Sequence, residues 1–325
     1  MPGAIEVLTV GRVGVDLYPQ QSGVPLARVS TFAKFLGGTA TNVAVGVARL
    51  GRRSAVLTKV GPDGFGDFVR TAMAGFGVDP AYVGTAPDLQ TPVVFCALDP
   101  PEDPPLLFYR QPIAPDLTLT RDDVPWLLID QVPLLWVTGS GVSVDPARQT
   151  QLDLLARRGR PPAGSGRFTV LDLDWRPAFW PSPRAATREY ARMLPHVSVA
   201  VGNRAEVEVA VGTADPCEGA RRLLDLGVET VVVKKGADGV LLATQAGMVT
   251  VPPRHVEVVC GLGAGDAFGA ALCHGLLSGW PPLRCVEFGN AAGAIVASRL
   301  ACADAMPTGE ELAAMVAGTE AEECP

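Results

Sequence analysis

The chain of 325 residues is poor in the residues and patterns that mark metal, disulfide and membrane proteins. Its three histidines are widely spaced and its seven cysteines include no C-x-x-C pair, which disfavours a zinc site or a disulfide scaffold and favours a reduced, cytoplasmic protein. No apolar run approaches the roughly 20 residues of a membrane span, and the N-terminus lacks a signal-peptide pattern. Charged residues are 19% of the chain and the net charge is −7, which gives no general attraction to nucleic acid or anionic membranes. Any phosphate-binding site must therefore be local.

Short apolar runs alternate with helical patterns along most of the chain. The apolar runs predict strands at residues 5–10, 54–60, 134–138, 168–173, 197–201 and 230–234. Apolar residues at helical spacing predict helices at residues 41–50, 65–76, 149–157 and 217–226. Such alternation favours a parallel sheet covered by helices on both faces, with ligands bound beyond the carboxyl ends of the strands.

Two segments interrupt this alternation, at about residues 13–36 and 92–113. Both have strand-like patches separated by turns rich in proline. The second contains the run PPEDPP at residues 100–105, which excludes a helix. On the residues alone, these segments can be ordinary surface hairpins.

A glycine-rich motif, CGLGAGDAF at residues 260–268, follows an apolar run and opens a helical pattern. Small residues leave backbone N–H groups accessible at a helix N-terminus, where partial positive charge collects and anions bind. A bound phosphate would repel the carboxylate of Asp266, so an aspartate at this position indicates a chemical role. It is suited to taking a proton from a hydroxyl while the amides hold a phosphoryl group. The alternative is a plain helix start with an acidic first turn, which is common.

Further motifs occur in a fixed order: GGTATN at 37–42, VGPDGFG at 60–66, NRAE at 203–206, KGADG at 235–239 and NAAGA at 290–294. Together with the glycine-rich motif they resemble the ribokinase-like (phosphofructokinase-B type) family of carbohydrate kinases, over residues 7–308. The resemblance implies an α/β fold, a three-layer α/β/α arrangement with a mainly parallel central sheet, in a single domain over residues 1–325. It also implies that segments 13–36 and 92–113 form a small β-sheet lid, through which a homodimer can form.

The resemblance implies roles for individual residues. Asp266 is expected to be the catalytic base, with the amides of Gly263, Ala264 and Gly265 around the transferred phosphoryl group. Sugar hydroxyls are expected at Asp16, Gly37, Gly38 and Asn42, although Asp16 could be a turn residue. ATP is expected at Asn203, Lys235, Gly236, Gly239, Gly261, Gly263, Gly265 and Asn290. Magnesium is expected at Asn203 and Glu206 through water, although these two residues could instead form a helix capping box.

Two elements resemble kinases that act on keto-deoxy sugar acids: FYR at 108–110 and DLDWRPAFW at 172–180. They imply that Tyr109, Arg110 and Arg176 bind the acid end of the substrate, because arginine suits bidentate capture of a carboxylate. Each arginine could also be a salt-bridged surface residue. The expected reaction is ATP-dependent phosphorylation of a terminal primary hydroxyl in myo-inositol breakdown. The alternatives are a 2-keto-3-deoxygluconate kinase, a fructokinase, or a sugar-acid sensor without catalysis.

One departure from the family pattern concerns a monovalent cation. The family usually has Asp-Thr at the start of the glycine-rich motif, where this chain has Cys260-Gly261. A thiol is a poor ligand for potassium. The resemblance therefore leaves the requirement for a monovalent cation open.

Overall fold

A computed structural model describes residues 4–21, 23–102 and 104–317. The parts of the predicted 1–325 domain and of its two lid segments that fall at residues 1–3, 22, 103 and 318–325 lie outside the described residues. The strands are β1 Val7–Val10, β2 Gly14–Pro19, β3 Phe32–Gly37, β4 Ser54–Val60, β5 Val78–Asp79, β6 Val83–Thr85, β7 Val93–Cys96, β8 Leu106–Tyr109, β9 Leu134–Thr138, β10 Phe168–Asp172, β11 Val199–Asn203, β12 Thr230–Lys234, β13 Val240–Thr244 and β14 Gly247–Val251. The α-helices are α1 Thr39–Arg49, α2 Gly64–Gly75, α3 Trp126–Gln131, α4 Ala147–Arg158, α5 Pro183–Met193, α6 Arg204–Val211, α7 Pro216–Asp225, α8 Ala264–Leu277, α9 Pro282–Ala297 and α10 Gly309–Ala317.

The central sheet has the strand order β14-β13-β12-β11-β10-β9-β1-β4-β5, with β6 beside β4. Neighbouring strands from β12 to β5 run parallel, and β13 and β14 pair antiparallel at one edge. The predicted, mainly parallel sheet is confirmed. The prediction omits β13 and β14. Strand β14 was missed because it is a largely exposed edge strand whose apolar signal is weak, whereas β13 is buried and apolar.

Helices cover both faces of the central sheet, as predicted. Successive strand residues point to opposite faces, so Leu8 and Leu135 pack with side chains of α4 to α7, whereas Val7 and Leu134 pack with α1, α8 and α9. Each fully buried aliphatic side chain of this kind contributes roughly 1.5–3 kcal/mol. None of the helices in the described part of the chain has both the length and the apolar character needed to cross a membrane.

A second, four-stranded sheet has the order β3-β2-β7-β8. Strands β2 and β3 come from segment 13–36, and β7 and β8 come from segment 92–113. Strand β2 pairs parallel to β7, so the two segments join in one sheet rather than forming two separate hairpins. This small sheet is called the lid sheet below. Its position matters because alternate residues of β8 line a cavity.

Candidate active site

The N-terminus of α8 forms a bare anion pocket. Gly263 precedes the helix with φ +81°, a conformation that side chains disfavour, and a Cβ there would also lie 2.9 Å from the Cβ of Cys302. No side chain caps this helix, so its first amides have no side-chain partner, and the amide of Ala264 makes only a long bond of 3.4 Å to the carbonyl of Gly261. The positive end of the helix dipole adds to their attraction for an anion.

Asp266 lies in the first turn of α8 and is held by α1. Its Oδ2 accepts a hydrogen bond of 2.7 Å from Nδ2 of Asn42. Burial raises the pKa of Asp266 to about 6, although the bond from Asn42 opposes this. A carboxylate with a pKa just below neutral is well matched to general-base catalysis. The other amide atom of Asn42, Oδ1, is buried without a partner among the described residues, so it can accept a hydrogen bond from a ligand.

A cavity lies between α8 and the lid sheet. It is lined by Asp16, Gly38 and Asn42, which were predicted to bind hydroxyl groups, and by Asp266, the predicted base. Gly37 does not line the cavity; a Cβ at Gly37 would overlap the carboxylate of Asp16, so this glycine leaves room for the carboxylate. Asp16 is part of β2 rather than a turn, and burial raises its pKa to about 7 despite the nearby cation of Arg12.

Three arginines line this cavity: Arg12, Arg110 and Arg176. The guanidinium groups of Arg12 and Arg110 lie 5.5 and 4.9 Å from the ring centroid of Phe179, so both converge on one aromatic ring. Each arginine also has a carboxylate partner, which agrees with the alternative that these residues are salt-bridged. Nη2 of Arg110 donates to both oxygens of Asp116, at 3.0 and 2.9 Å.

Asp174 is the shared partner of the other two arginines. Nη2 of Arg12 donates to both of its oxygens at 2.9 and 3.0 Å, and Nε of Arg176 lies 3.2 Å from Oδ1. Ser140 donates a further hydrogen bond to Asp174. These partners fix the orientation of the guanidinium groups without using all of their N–H donors. Sequence reasoning missed Arg12, although its place directly after β1, at the carboxyl edge of the sheet, was a usable signal.

The prediction for Tyr109 is not supported by its position. Leu106, Phe108 and Arg110 face the cavity, and Tyr109 lies on the opposite face of β8, where it is 60% exposed. Its ring packs edge-on against Phe95, with the ring centroids 5.3 Å apart. The aromatic residue at the cavity is therefore Phe108, because side chains alternate along a strand.

A larger groove of about 1850 Å³ begins where the first cavity ends. Asp266, Gly263, Thr39 and Arg176 line both spaces, so the two meet at the predicted base. The predicted ATP-binding residues that line the groove are Asn203, Gly236, Gly239, Gly261, Gly263, Gly265 and Asn290, and Ala264 lines it too. Asn290 donates to the carbonyl of Pro252 at 2.9 Å.

Lys235 is the exception among the predicted ATP-binding residues. Its Nζ donates to Oγ1 of Thr250 at 3.2 Å, and the residue does not line the groove. Lys234, the preceding residue and the last of β12, lines the groove instead. The motif located a segment that lines the groove, and the pleat of the strand decides that Lys234, and not Lys235, faces it.

Asn203 and Glu206 form the capping box that was the alternative to a magnesium role. Oδ1 of Asn203 accepts from the amide of Glu206 at 2.9 Å, and Oε2 of Glu206 accepts from the amide of Asn203 at 2.7 Å. A carboxylate has about four acceptor sites, so Glu206 keeps capacity for another partner in the groove. Hard oxygen donors suit magnesium, which is usually held by one or two carboxylates, waters and substrate phosphates. The residues present therefore fit a magnesium ion held through water.

Cys260, the departure from the family pattern, is buried in an apolar cluster with Tyr18, Val94 and Cys96. Burial raises the pKa of its thiol. A protonated thiol in apolar surroundings is a poor cation ligand. A monovalent cation at this position would have to bind through backbone carbonyls alone.

The first cavity, called the acceptor cavity below, and the anion pocket at α8 share one carboxylate, that of Asp266. On a mainly parallel α/β sheet, this arrangement defines a phosphotransferase that acts on an alcohol group. The chain belongs to the pfkB family of carbohydrate kinases, which it matches over residues 4–309. It is 31% identical to the 5-dehydro-2-deoxygluconokinase of Geobacillus thermodenitrificans, an alignment that covers 95% of this chain and 92% of the relative.

Solved structures agree with the assignment of the family. The aminoimidazole riboside kinase of Salmonella enterica, solved with aminoimidazole riboside and an ATP analogue, is 26% identical with a TM-score of 0.79, and 95% of this chain and 99% of that chain are covered. A ribokinase II of E. coli in complex with ATP and Mg²⁺ has a TM-score of 0.86, with 97% and 99% covered. At 21% identity, that second likeness shows the ribokinase-like fold alone.

Proposed function

We propose that the protein transfers the γ-phosphoryl group of ATP to the terminal primary hydroxyl of 5-dehydro-2-deoxygluconate, giving its 6-phosphate in myo-inositol breakdown. The name of the relative from Geobacillus thermodenitrificans supports this substrate. The observation that carries the proposal is that three arginines line the same cavity as Asp266. Each guanidinium group keeps N–H donors beyond those used by its carboxylate partner, and a sugar acid brings a carboxylate that these donors suit, whereas a neutral sugar does not.

Asp266 starts the reaction by taking the proton of the substrate's primary hydroxyl. The hydroxyl oxygen then forms a bond to the γ-phosphorus of ATP, and the bond from that phosphorus to the β–γ bridging oxygen breaks, so ADP leaves with the electron pair. The amides of Gly263 to Gly265 stabilise the charge on the transferring group. Asn42 holds the carboxylate of Asp266 in place through its 2.7 Å hydrogen bond.

ATP occupies the larger groove, with its phosphates at the N-terminus of α8 and its adenine toward Asn290. Magnesium, when bound, neutralises phosphate charge, and Asn203 and Glu206 would hold it through water. The lid sheet limits water at the acceptor cavity, which protects ATP from hydrolysis.

The acid end of the substrate binds Arg12 and Arg110, whose guanidinium planes are already oriented by Phe179, Asp174 and Asp116. Arg176 lines both cavities and so lies closer to the phosphoryl-transfer point. Asp16 and Asn42 bind the hydroxyl groups between the two ends, since a carboxylate and an amide oxygen both accept from O–H.

A second copy of the chain is proposed to cover the outer face of the lid sheet. Phe32, Phe95 and Tyr109 pack edge-on in a row there, with ring centroids 5.2 and 5.3 Å apart, and Leu107 beside them is 49% exposed. An exposed apolar patch of this kind marks an interaction surface. Light scattering of the wild type and of Leu107→Lys tests this, because a dimer that survives the substitution must form elsewhere.

The experiment for the substrate compares kcat/KM on 5-dehydro-2-deoxygluconate, 2-keto-3-deoxygluconate and fructose with ATP and magnesium. We expect the first to be preferred, and Arg110→Met to lower kcat/KM for both acids but not for fructose. A preference for fructose would remove the acid-binding argument and leave the kinase assignment intact. No turnover with any substrate would favour a sensor that binds without catalysis.

A further inference from the structure

Lys234 lies directly against the anion pocket. A Cβ built on Gly265 would be 3.1 Å from Nζ of Lys234, so the ammonium group touches the backbone surface that the phosphoryl group is expected to meet. Lys234 ends β12, whereas Gly265 is in the first turn of α8. Two separate elements therefore bring a cation and bare helix amides to one point, one residue from Asp266.

The surroundings of Lys234 are acidic, but no carboxylate of the described residues forms an ion pair with its ammonium group. Asp172, Glu206 and Asp266 line the same groove, yet no described carboxylate lies within the 4.0 Å of an ion pair with Nζ. Burial lowers the pKa of Lys234, but these carboxylates outweigh burial and raise it, so the side chain stays charged. The charged ammonium group therefore has no close anionic partner among the described residues, which leaves its N–H donors available to an anionic ligand.

The negative charge of the same carboxylates opposes phosphate binding in the groove, and a lysine offsets that charge. Asp172, Glu206 and Asp266 would repel the phosphates of ATP from the groove that must bind them. The positive charge of Lys234 next to Gly265 offsets this repulsion at the point where the γ-phosphate is proposed to bind. A helix dipole alone supplies only about half an elementary charge.

We propose that Nζ of Lys234 binds the γ-phosphoryl oxygens of ATP at Gly265 and stabilises the negative charge of the group during transfer. The inference rests on the proposed phosphoryl transfer and adds a catalytic lysine next to Lys235, the residue to which the sequence motif assigned ATP binding. Lys235, bonded to Thr250 outside the groove, is the natural comparison.

The test compares Lys234→Met with Lys235→Met, which remove the same charge at consecutive positions. For Lys234→Met we expect kcat to fall about 100-fold or more, the usual cost of one donor to a developing anion. KM for the sugar acid should change by less than about threefold, because this end of the site does not bind it. Lys235→Met should keep kcat within about threefold.

Calorimetric titration with ATP and with ADP, without sugar, gives a readout independent of turnover. Lys234→Met should weaken the binding of ATP more than the binding of ADP, because only ATP carries the γ-phosphate. Lys234→Arg should restore part of that difference in affinity. The inference would be overturned if Lys234→Met weakened the binding of both nucleotides equally, or if the two Met variants lost equal amounts of kcat.

Circular dichroism shows whether the Lys234→Met protein is folded. If it is unfolded, Lys234→Arg and Lys234→Gln decide the question by the same ratio of ATP affinity to ADP affinity. If the wild type phosphorylates none of the tested sugars, the proposed substrate fails, while the nucleotide titration still decides the role of Lys234.

Discussion

Replacing Asp266 with asparagine tests the proposed base with little change of shape. The amide oxygen of an asparagine can still accept the hydrogen bond from Asn42, which is 2.7 Å long in the wild type. The amide cannot take a proton from the substrate. General-base catalysis contributes about 10²- to 10⁴-fold, so we expect kcat to fall by that factor, or by roughly 3–5 kcal/mol in barrier height.

The same substitution should stabilise the folded protein at alkaline pH. Burial raises the pKa of Asp266 from 3.8 to about 6, so the folded state disfavours the ionised form. At 1.36 kcal/mol per pKa unit, the ionised carboxylate destabilises the fold by about 3 kcal/mol once the pH exceeds the folded pKa. Asparagine removes that cost. The gain in unfolding free energy should be greatest above about pH 6 and should shrink as the pH falls toward the unfolded pKa.

The assay pairs steady-state kinetics with urea unfolding at about pH 8 and about pH 5. Asp67→Asn is the matched control, because Asp67 is also an aspartate in the first turn of a helix but is exposed and lines neither cavity. It should leave both kcat and stability nearly unchanged. If Asp266→Asn keeps more than about a tenth of the wild-type rate, Asp266 is not the base.

Three other outcomes follow from the same site. The kcat/KM of the wild type should fall as the pH drops below about 6, since a base with its pKa raised to about 6 becomes protonated there; a flat profile would contradict this role for Asp266. Asn203→Ala should lower the unfolding free energy by about 1 kcal/mol and Asn203→Asp should not, because aspartate caps a helix equally well; equal losses in urea unfolding would exclude the capping role. Gly38→Ala should destabilise the protein more than Gly51→Ala, because both have positive φ but only a Cβ at Gly38 meets a backbone atom, 2.5 Å from the carbonyl oxygen of Arg12; thermal unfolding compares them.

The periodicity of apolar residues was sufficient to predict the central sheet. Strands β4, β9 and β12 have the predicted bounds, and β11 begins two residues later than predicted, at Val199. These strands are buried on both faces, so each is a continuous apolar run that is easily located. Strand β14 was missed for the opposite reason, since four of its five residues are exposed.

The sequence predicted site segments better than it predicted side-chain directions. The predicted segments that contain Tyr109-Arg110 and Lys234-Lys235 each line a cavity, but in each pair one residue does not. A strand has a side-chain period of two, so a motif without its pairing register leaves the face undetermined. Arg12 was missed because a single arginine after a strand has no pattern beyond its position.

Charge placement explains how a chain of net charge −7 can bind two anionic substrates. The cations line both spaces: Arg12 and Arg110 line the acceptor cavity, and Lys234 lines the groove next to Gly265. Asp16 and Asp266 also line the acceptor cavity, and burial raises their pKa values to about 7 and about 6. Near neutral pH these two groups can hold or release a proton at little cost. In the proposed reaction, fixed positive charge thus meets the fixed negative charge of the substrates, and titratable acids are present where a hydroxyl proton has to move.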